Sequence, residues 1–223
     1  MKSILKILLI LFIVTSGKAQ QRKNYFPCWS FHQKNANIHG ISIGIGSTLN
    51  NLKNTKTNGI RLELVGAGIL VPLIPYSPIT ETDSSEYLYP ISEKINGINI
   101  SSSGTVADCV VNGLSIGVIG NIIYKVNGIS AIGFLNFVHI SNGIQFAFVS
   151  TSNNKINGVQ IGAVNESNHT RGLQLGLVNR SKDLRGIQFG IWNRNGRRAL
   201  PIVNWQFKNN KKSQTHSGLR NRT

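Results

Sequence analysis

The chain has 223 residues and a net charge of +16, yet only 14% of its residues are charged and 40% are hydrophobic. A well-solvated soluble enzyme carries about 25% charged residues, and intrinsic disorder does not fit 29 isoleucines. With 23 glycines and 26 asparagines a coiled coil is also excluded, leaving a β architecture in one sizeable domain or two small ones.

At the N-terminus, Lys2 and Lys6 precede and interrupt the apolar run Ile7 to Val14, and small residues follow before Gln20. A basic start, a short apolar core and small residues describe a secretory signal peptide over residues 1–19. The run is too short for a transmembrane helix. Loss of the leader removes Lys2, Lys6 and Lys18 and leaves a mature charge of +13. Export would permit a disulfide between the two cysteines, Cys28 and Cys109. Spacing alone does not show that they meet.

Further along, loosely spaced glycine-led segments begin at Gly40, Gly59 and Gly97. Four of the eight carboxylates fall between residues 81 and 93, in Glu81-Thr-Asp83-Ser-Ser-Glu86 and at Glu93. The segment lacks the alternating ligands and glycine of a calcium loop and reads as an exposed connection.

The dominant signal is an internal repeat. Asn112-Gly113-Leu-Ser-Ile-Gly117 is followed by Asn157-Gly158-Val-Gln-Ile-Gly162-Ala-Val-Asn165. Then come Arg171-Gly172-Leu-Gln-Leu-Gly176-Leu-Val-Asn179 and Arg185-Gly186-Ile-Gln-Phe-Gly190-Ile-Trp-Asn193. Degenerate copies start at Gly128 and Gly143, so the leading glycines from Gly113 to Gly186 lie 15, 15, 15, 14 and 14 residues apart. Counted from each leading glycine, positions +1, +3 and +5 are apolar, and the alternate positions are small or carry an amide. A period of two is the strand signature. Gly133 and Asn136 sit one place late after Gly128, an insertion that a β-bulge would absorb. The six strand windows between Val111 and Asn193 hold only two charges, Arg171 and Arg185, each at a window's edge. Soluble sandwiches usually charge their solvent face, and these strands have no such face.

These tandem Gly-x-Gln-x-Gly-x-Val-Asn units behind a signal peptide resemble a bacterial surface-repeat family of exported proteins in spirochaetes and Bacteroidetes. The resemblance covers residues 95–207, with a weaker match over 38–75. It implies an exported surface or outer-membrane protein without a defined activity.

Two architectures compete. Ten extended residues span about 33 Å, and four or five turn residues reach about 16 Å at most. A β-solenoid coil of 14 or 15 residues therefore closes only if the strand bends at its glycines, while the asparagines stack as a ladder. An antiparallel meander needs no bending. Roughly 11–12 strands would then close into an outer-membrane-type β-barrel, removing the sheet edges. Tyr124 and Trp192 near strand ends would form an aromatic belt, and Trp205-Gln206-Phe207 resembles a barrel-assembly ending. The all-β antiparallel barrel is the favoured reading and the β-solenoid the alternative, with one domain over 20–207 and a basic tail over 208–223.

No chemistry-bearing constellation appears. His32, His39, His139, His169 and His216 lack metal-ligand spacing, and Gly44-Ile-Gly46 and Gly66-Ala-Gly68 lack a phosphate-loop context. Asn165-Glu-Ser167 and Asn179-Arg-Ser181 match the glycosylation pattern as a by-product of the asparagine-rich repeat. The reading is a non-enzymatic exported protein, without cofactor, metal or catalytic residues, in the outer membrane or at the cell surface. Its expected partner is outer-membrane lipid or another anionic envelope surface rather than nucleic acid. The alternative is a periplasmic or secreted binding module presenting a repeated β surface to glycans, envelope polymers or host proteins. Its structural repeat positions are Gly113, Gly117, Gly158, Gly162, Asn165, Gly172, Gly176, Asn179, Gly186, Gly190 and Asn193.

Overall fold

A computed structural model describes residues 22–26, 30–31, 34–46, 53–73 and 91–207. The leader, Cys28, the Glu81–Glu86 segment and the basic tail lie outside the described residues. In chain order the strands are β1 (Lys23–Tyr25), β2 (Ser30–Phe31), β3 (Ala36–Gly44), β4 (Thr55–Glu63), β5 (Glu93–Ser101) and β6 (Val106–Gly117). Then follow β7 (Gly120–Ile132), β8 (Leu135–Ala147), β9 (Ser150–Ile161), β10 (Val164–Leu175), β11 (Val178–Arg194) and β12 (Ala199–Gln206). From β3 to β11 each strand pairs in parallel with the next, and β12 alone runs antiparallel, against β11.

The chain is a β-solenoid of about nine turns, not a barrel. The repeat itself explains why. In an antiparallel meander alternate strands run in opposite directions, so a motif that begins with glycine meets the end of its neighbour. Parallel stacking instead lays Gly40 on Gly59, Gly97, Gly113, Gly128 and onward to Gly186, like upon like. Each leading glycine has a positive φ, for instance +134° at Gly172, which L-residues with a side chain rarely adopt. Here the chain bends, as the solenoid requires, and it bends again at the residue pairs 118–119, 133–134, 148–149, 162–163 and 176–177.

Other sequence expectations change with the topology. Gly133 and Asn136 mark no bulge, because β7 and β8 pair at a constant offset of 15 residues, Gly120 with Leu135 and Ile132 with Ala147. The register shift lies one coil earlier, between Ala107 and Val110. The change from 15- to 14-residue coils is absorbed in the bend between Ile161 and Val164. Tyr124 belongs to no belt; its ring stacks on His139 at 5.6 Å between centroids. Trp205 lies in the antiparallel closing strand, where the Arg198 guanidinium sits 4.8 Å over its ring. Pro201 in β12 removes a backbone donor from this terminal strand, which limits pairing by a further strand.

The interior changes character along the axis. Around β5–β8 it is apolar, built from Ile95, Ala107, Cys109, Val111, Ile123, Val126 and Val138. Towards the C-terminus it becomes a set of amide ladders. Gln174 Nε2 donates to Gln160 Oε1 at 2.6 Å, Gln188 to Gln174 at 2.7 Å, and Asn204 Nδ2 to Gln188 at 3.0 Å. A second ladder runs from Asn165 through Asn179 to Asn193 at 2.8 and 2.7 Å. These side chains are fully buried, and a buried amide is tolerable because the copy above and below completes its hydrogen bonds.

Two substitutions test this account. An alanine Cβ at position 172 would collide with the Gly158 carbonyl and would also force an unfavourable φ. Gly172→Ala should therefore cost about 3 kcal/mol or more, measured by urea unfolding. Gln174→Leu keeps the volume but leaves amide groups of Gln160 and Gln188 without that partner. It should cost about 1–3 kcal/mol; an unchanged unfolding midpoint would show that the ladder adds nothing.

Candidate interaction face

The alternation seen in the repeat assigns residues to two environments. Position +2 points inward: Ser115, Ser130, Gln145, Gln160, Gln174 and Gln188 are completely buried. Positions +1, +3 and +5 point outward; +1 and +3 are apolar in every coil, and +5 is apolar except at Ser102 and Gly133. The +1 column runs from Ile41 to Ile187 and holds only Ile, Leu or Val across all the coils in between. The +3 column, from Ile43 to Phe189, holds Ile, Leu, Phe and Ala. Residues on this strip are exposed: Ile129 to 43%, Phe148 to 71%, Leu177 to 55% and Ile191 to 69%. Rungs about 4.8 Å apart and residues about 3.3 Å apart give a strip of roughly 40 by 16 Å. No charged residue occupies these columns.

A neighbouring column shows that this polarity is not a by-product of the repeat. Val106, Ile122, Phe137, Ser152, Glu166, Arg180 and Arg194 occupy successive positions along one flank. Its first three members are apolar, and a short 3-10 helix, Ala67–Leu73, packs over them. Val71 is buried against Val106 and Ile122, with Ala67, Leu135 and Phe137 around them. Beyond the helix the column becomes polar at Ser152 and then charged from Glu166 on. Outward positions that meet solvent are therefore polar on this flank, whereas the strip remains apolar along its whole length with nothing over it among the described residues. An exposed apolar patch of this extent marks a surface that meets an apolar partner.

The sequence-derived repeat positions fall into three structural roles. Gly113, Gly158, Gly172 and Gly186 form the positive-φ corner. Gly117, Gly162, Gly176 and Gly190 lie four residues on, where neighbouring backbone leaves little or no room for a Cβ. Asn165, Asn179 and Asn193 make the inner ladder. Because Asn165 and Asn179 are fully buried, both glycosylation motifs are closed to modifying enzymes in the folded chain. A separate outward asparagine ladder was not anticipated: Asn96, Asn112, Asn127, Asn142 and Asn157 each donate to the preceding rung at 2.6–2.7 Å. Arg171 and Arg185 take the equivalent places in the last two coils. His169 lies 3.6 Å from Asp183, and no group of three metal-ligating side chains occurs among the described residues.

Sequence reading also missed a buried ionic cluster between β4 and β5. Arg61 Nε lies 3.1 Å from Glu93 Oε2, its Nη2 lies 3.3 Å from Glu63 Oε1, and its Nη1 donates to Asn99 at 2.8 Å. Thr105 donates to Glu63 at 2.9 Å, and Lys53 pairs with Glu93 at 3.0 Å. Burial works against the Arg61 charge, but Glu93 and Glu63 outweigh it and hold the guanidinium above its ordinary range. Arg61 is only 2% exposed, so the cluster is sealed from substrates. Only a sequence signal of charge inside a strand window, Arg61-Leu-Glu63, hinted at it. Cys109 is buried beside the cluster, and burial, reinforced by Glu93, pushes its thiol well above the ordinary range. The pairing of Cys109 with Cys28 falls outside the described residues.

The fold and its surface thus define a parallel β-solenoid with an amide-rich interior and one continuous apolar outer strip. No protein-family model, curated protein or solved structure matches the chain.

The cluster and the thiol generate two measurable expectations. Arg61→Met leaves Glu63 and Glu93 buried without their main counter-charge and should cost about 3–5 kcal/mol by urea unfolding. Adding Glu93→Gln should recover part of that loss. Cys109 should resist iodoacetamide in the folded protein reduced beforehand and react only on unfolding; rapid labelling under native conditions would contradict its burial.

Proposed function

We propose that this chain is an exported, non-enzymatic β-solenoid of the bacterial surface that lies against an anionic envelope membrane through its apolar strip. The observation that carries the reading is the apolarity of the strip's +1 and +3 columns from end to end, beside a flank that becomes polar at Ser152 and then charged beyond its helix cover. Three further features support it. Lateral hydrogen bonds between coils satisfy the strand backbone, so the strip can enter an apolar phase without stranding polar groups. Trp192 and Trp205 lie exposed at its C-terminal end, as suits interfacial anchoring. The net charge of +13 left after the leader's three lysines are removed favours an anionic surface.

A second copy fits less well as the partner. A stable interface takes about 800 Å² from each side, against roughly 600 Å² from the strip's dimensions, and two strongly cationic chains would repel. The barrel role drops away with the barrel, while the surface location and lack of catalysis remain parts of the proposal.

Vesicle flotation tests it. The purified protein should float with phosphatidylglycerol-containing vesicles, with weaker binding to neutral phosphatidylcholine and at high salt. Phe148→Ser with Leu177→Ser should reduce flotation at least tenfold while leaving the circular dichroism spectrum unchanged. Equal flotation of the folded double variant would sink the proposal, and so would a protein that ignores vesicles and sediments as a dimer.

A further inference from the structure

Across the glycine corner from the apolar strip, the outward positions are mostly polar. Three residues before each leading glycine, Lys56, Lys94, Val110, Lys125, Ile140 and Lys155 occupy successive rungs from β4 to β9. One residue before each glycine runs the outward asparagine ladder, from Asn58 to Asn157. We propose that this face binds a linear acidic polysaccharide laid along the solenoid axis. The site goes beyond membrane docking and uses none of the strip's side chains.

Three observations carry it. First, the two columns face the same way. The position between them is inward in every one of these coils: Thr57, Ile95, Val111, Val126, Ser141 and Ile156 are at most 1% exposed. Alternation then sets lysines and asparagines side by side on the outer face, roughly 7 Å apart across it.

Second, the face is positive and uncompensated. None of the four lysines forms an ion pair among the described residues. The acids closest in sequence among the described residues, Glu63, Glu93 and Asp108, are only 2–3% exposed, and Glu93 is engaged by Arg61 and Lys53. The lysine column reaches a carboxylate only beyond Lys155 and His169, at Asp183. The asparagine column continues there into two more cations, Arg171 and Arg185. Charges aligned in this way favour a polyanion, because each contact after the first is made by a chain already held.

Third, the amides offer hydrogen bonds at a regular interval. A side-chain amide has two donor hydrogens, and the ladder uses one of them: Asn112 Nδ2 donates to Asn96 Oδ1 at 2.7 Å, and Asn127 to Asn112 at 2.6 Å. The second remains for a ligand on these half-buried side chains. Because the ladder already fixes each amide, binding costs little further ordering. Sugar hydroxyls both donate and accept, and they would meet one amide per rung, about 4.8 Å apart. Cations recur on every second rung, Lys94, Lys125 and Lys155, with Val110 and Ile140 between them. That order suits a polymer in which charged and uncharged sugars alternate. A single-stranded nucleic acid fits less well, since its bases bind largely by stacking on aromatic side chains, and neither column carries one from β4 to β9.

Calorimetric titration of the full chain with hyaluronan, a linear polymer with a carboxylate on every second sugar, tests the site. Saturable binding is expected, at least tenfold weaker for the methyl-esterified polymer, which keeps the sugars and loses the charge. Lys94→Gln with Lys125→Gln and Lys155→Gln should raise the dissociation constant at least tenfold with an unchanged circular dichroism spectrum. Arg180→Gln with Arg194→Gln and Arg197→Gln removes as much charge away from this face and should change it less than twofold. Absence of saturable binding would overturn the proposal, as would equal weakening by the two triple variants. Equal affinity for the methyl ester, or for a single-stranded oligodeoxynucleotide of matched charge, would overturn it too. Failed vesicle flotation leaves these outcomes untouched, because a polysaccharide in solution needs no membrane.

Discussion

Everything in this molecule depends on how closely one leading glycine lies over the next. With a positive φ and the preceding glycine's carbonyl against its Cα, each corner excludes any side chain. That contact fixes the bend, and a bend at the same place in every coil puts each remaining position over its equivalent. Identical side chains therefore stack along the axis. A side chain that tolerates a copy of itself at one rung's distance is favoured at every position, and one that does not is excluded.

Amides and aliphatic chains meet that condition in different ways. An amide carries both donor and acceptor, so a column of Gln or Asn satisfies itself, as the Gln160–Gln174–Gln188 column does. This is why the interior can be polar, and why fully buried glutamines coexist with exposed isoleucines. Like charges one rung apart repel, which fits their rarity in the strand windows, where Arg171 beside Arg185 is the exception. It also explains the arrangement around Arg61, where unlike charges occupy neighbouring positions, Arg61 and Glu63 on one coil and Glu93 on the next. The polarity expected of a soluble protein is thereby inverted: the repeat buries what hydrogen-bonds and exposes what does not.

Much of this was legible from residues alone. The two-residue alternation, the glycine corners and the coil length are properties of a single repeat, and all of them stand in the fold, whereas the charges between the strand windows, expected in turns, lie within strands: Lys125 in β7, Lys155 in β9, Glu166 in β10 and Arg180 in β11. The direction of stacking was not legible, because the strand pattern of one unit is the same whether its neighbour runs parallel or antiparallel. The deciding clue was the near-identity of successive units, which only parallel in-register pairing uses. Which side faced inward was also hidden, since alternation separates Leu173 and Leu175 from Gln174 without saying which set meets solvent. The apolar set was assigned to lipid around a barrel; it does face outward, but from a solenoid whose interior is amide. Arg61 and Glu93 escaped notice because they meet only across coils, 32 residues apart.

Stacking constrains a column to be self-compatible, but it does not choose between aliphatic, amide and small hydroxylic side chains. The choice made on each outward column therefore reports its surroundings. On the charged flank the choice follows the cover: apolar beneath the helix at Ala67–Leu73, then Glu166, Arg180 and Arg194 beyond it. The same rule applied to the strip supports the proposed cover from Ile41 to Ile187, because a fold already satisfied by its backbone and ladders gains nothing from leaving Phe148 and Ile191 in water. Polar alternatives were open to the same backbone, as the outward ladder from Asn96 to Asn157 shows one column away. The strip's apolarity is thus a property that folding does not demand, and the proposed membrane surface, extended, flat and apolar, is the kind of partner that it fits.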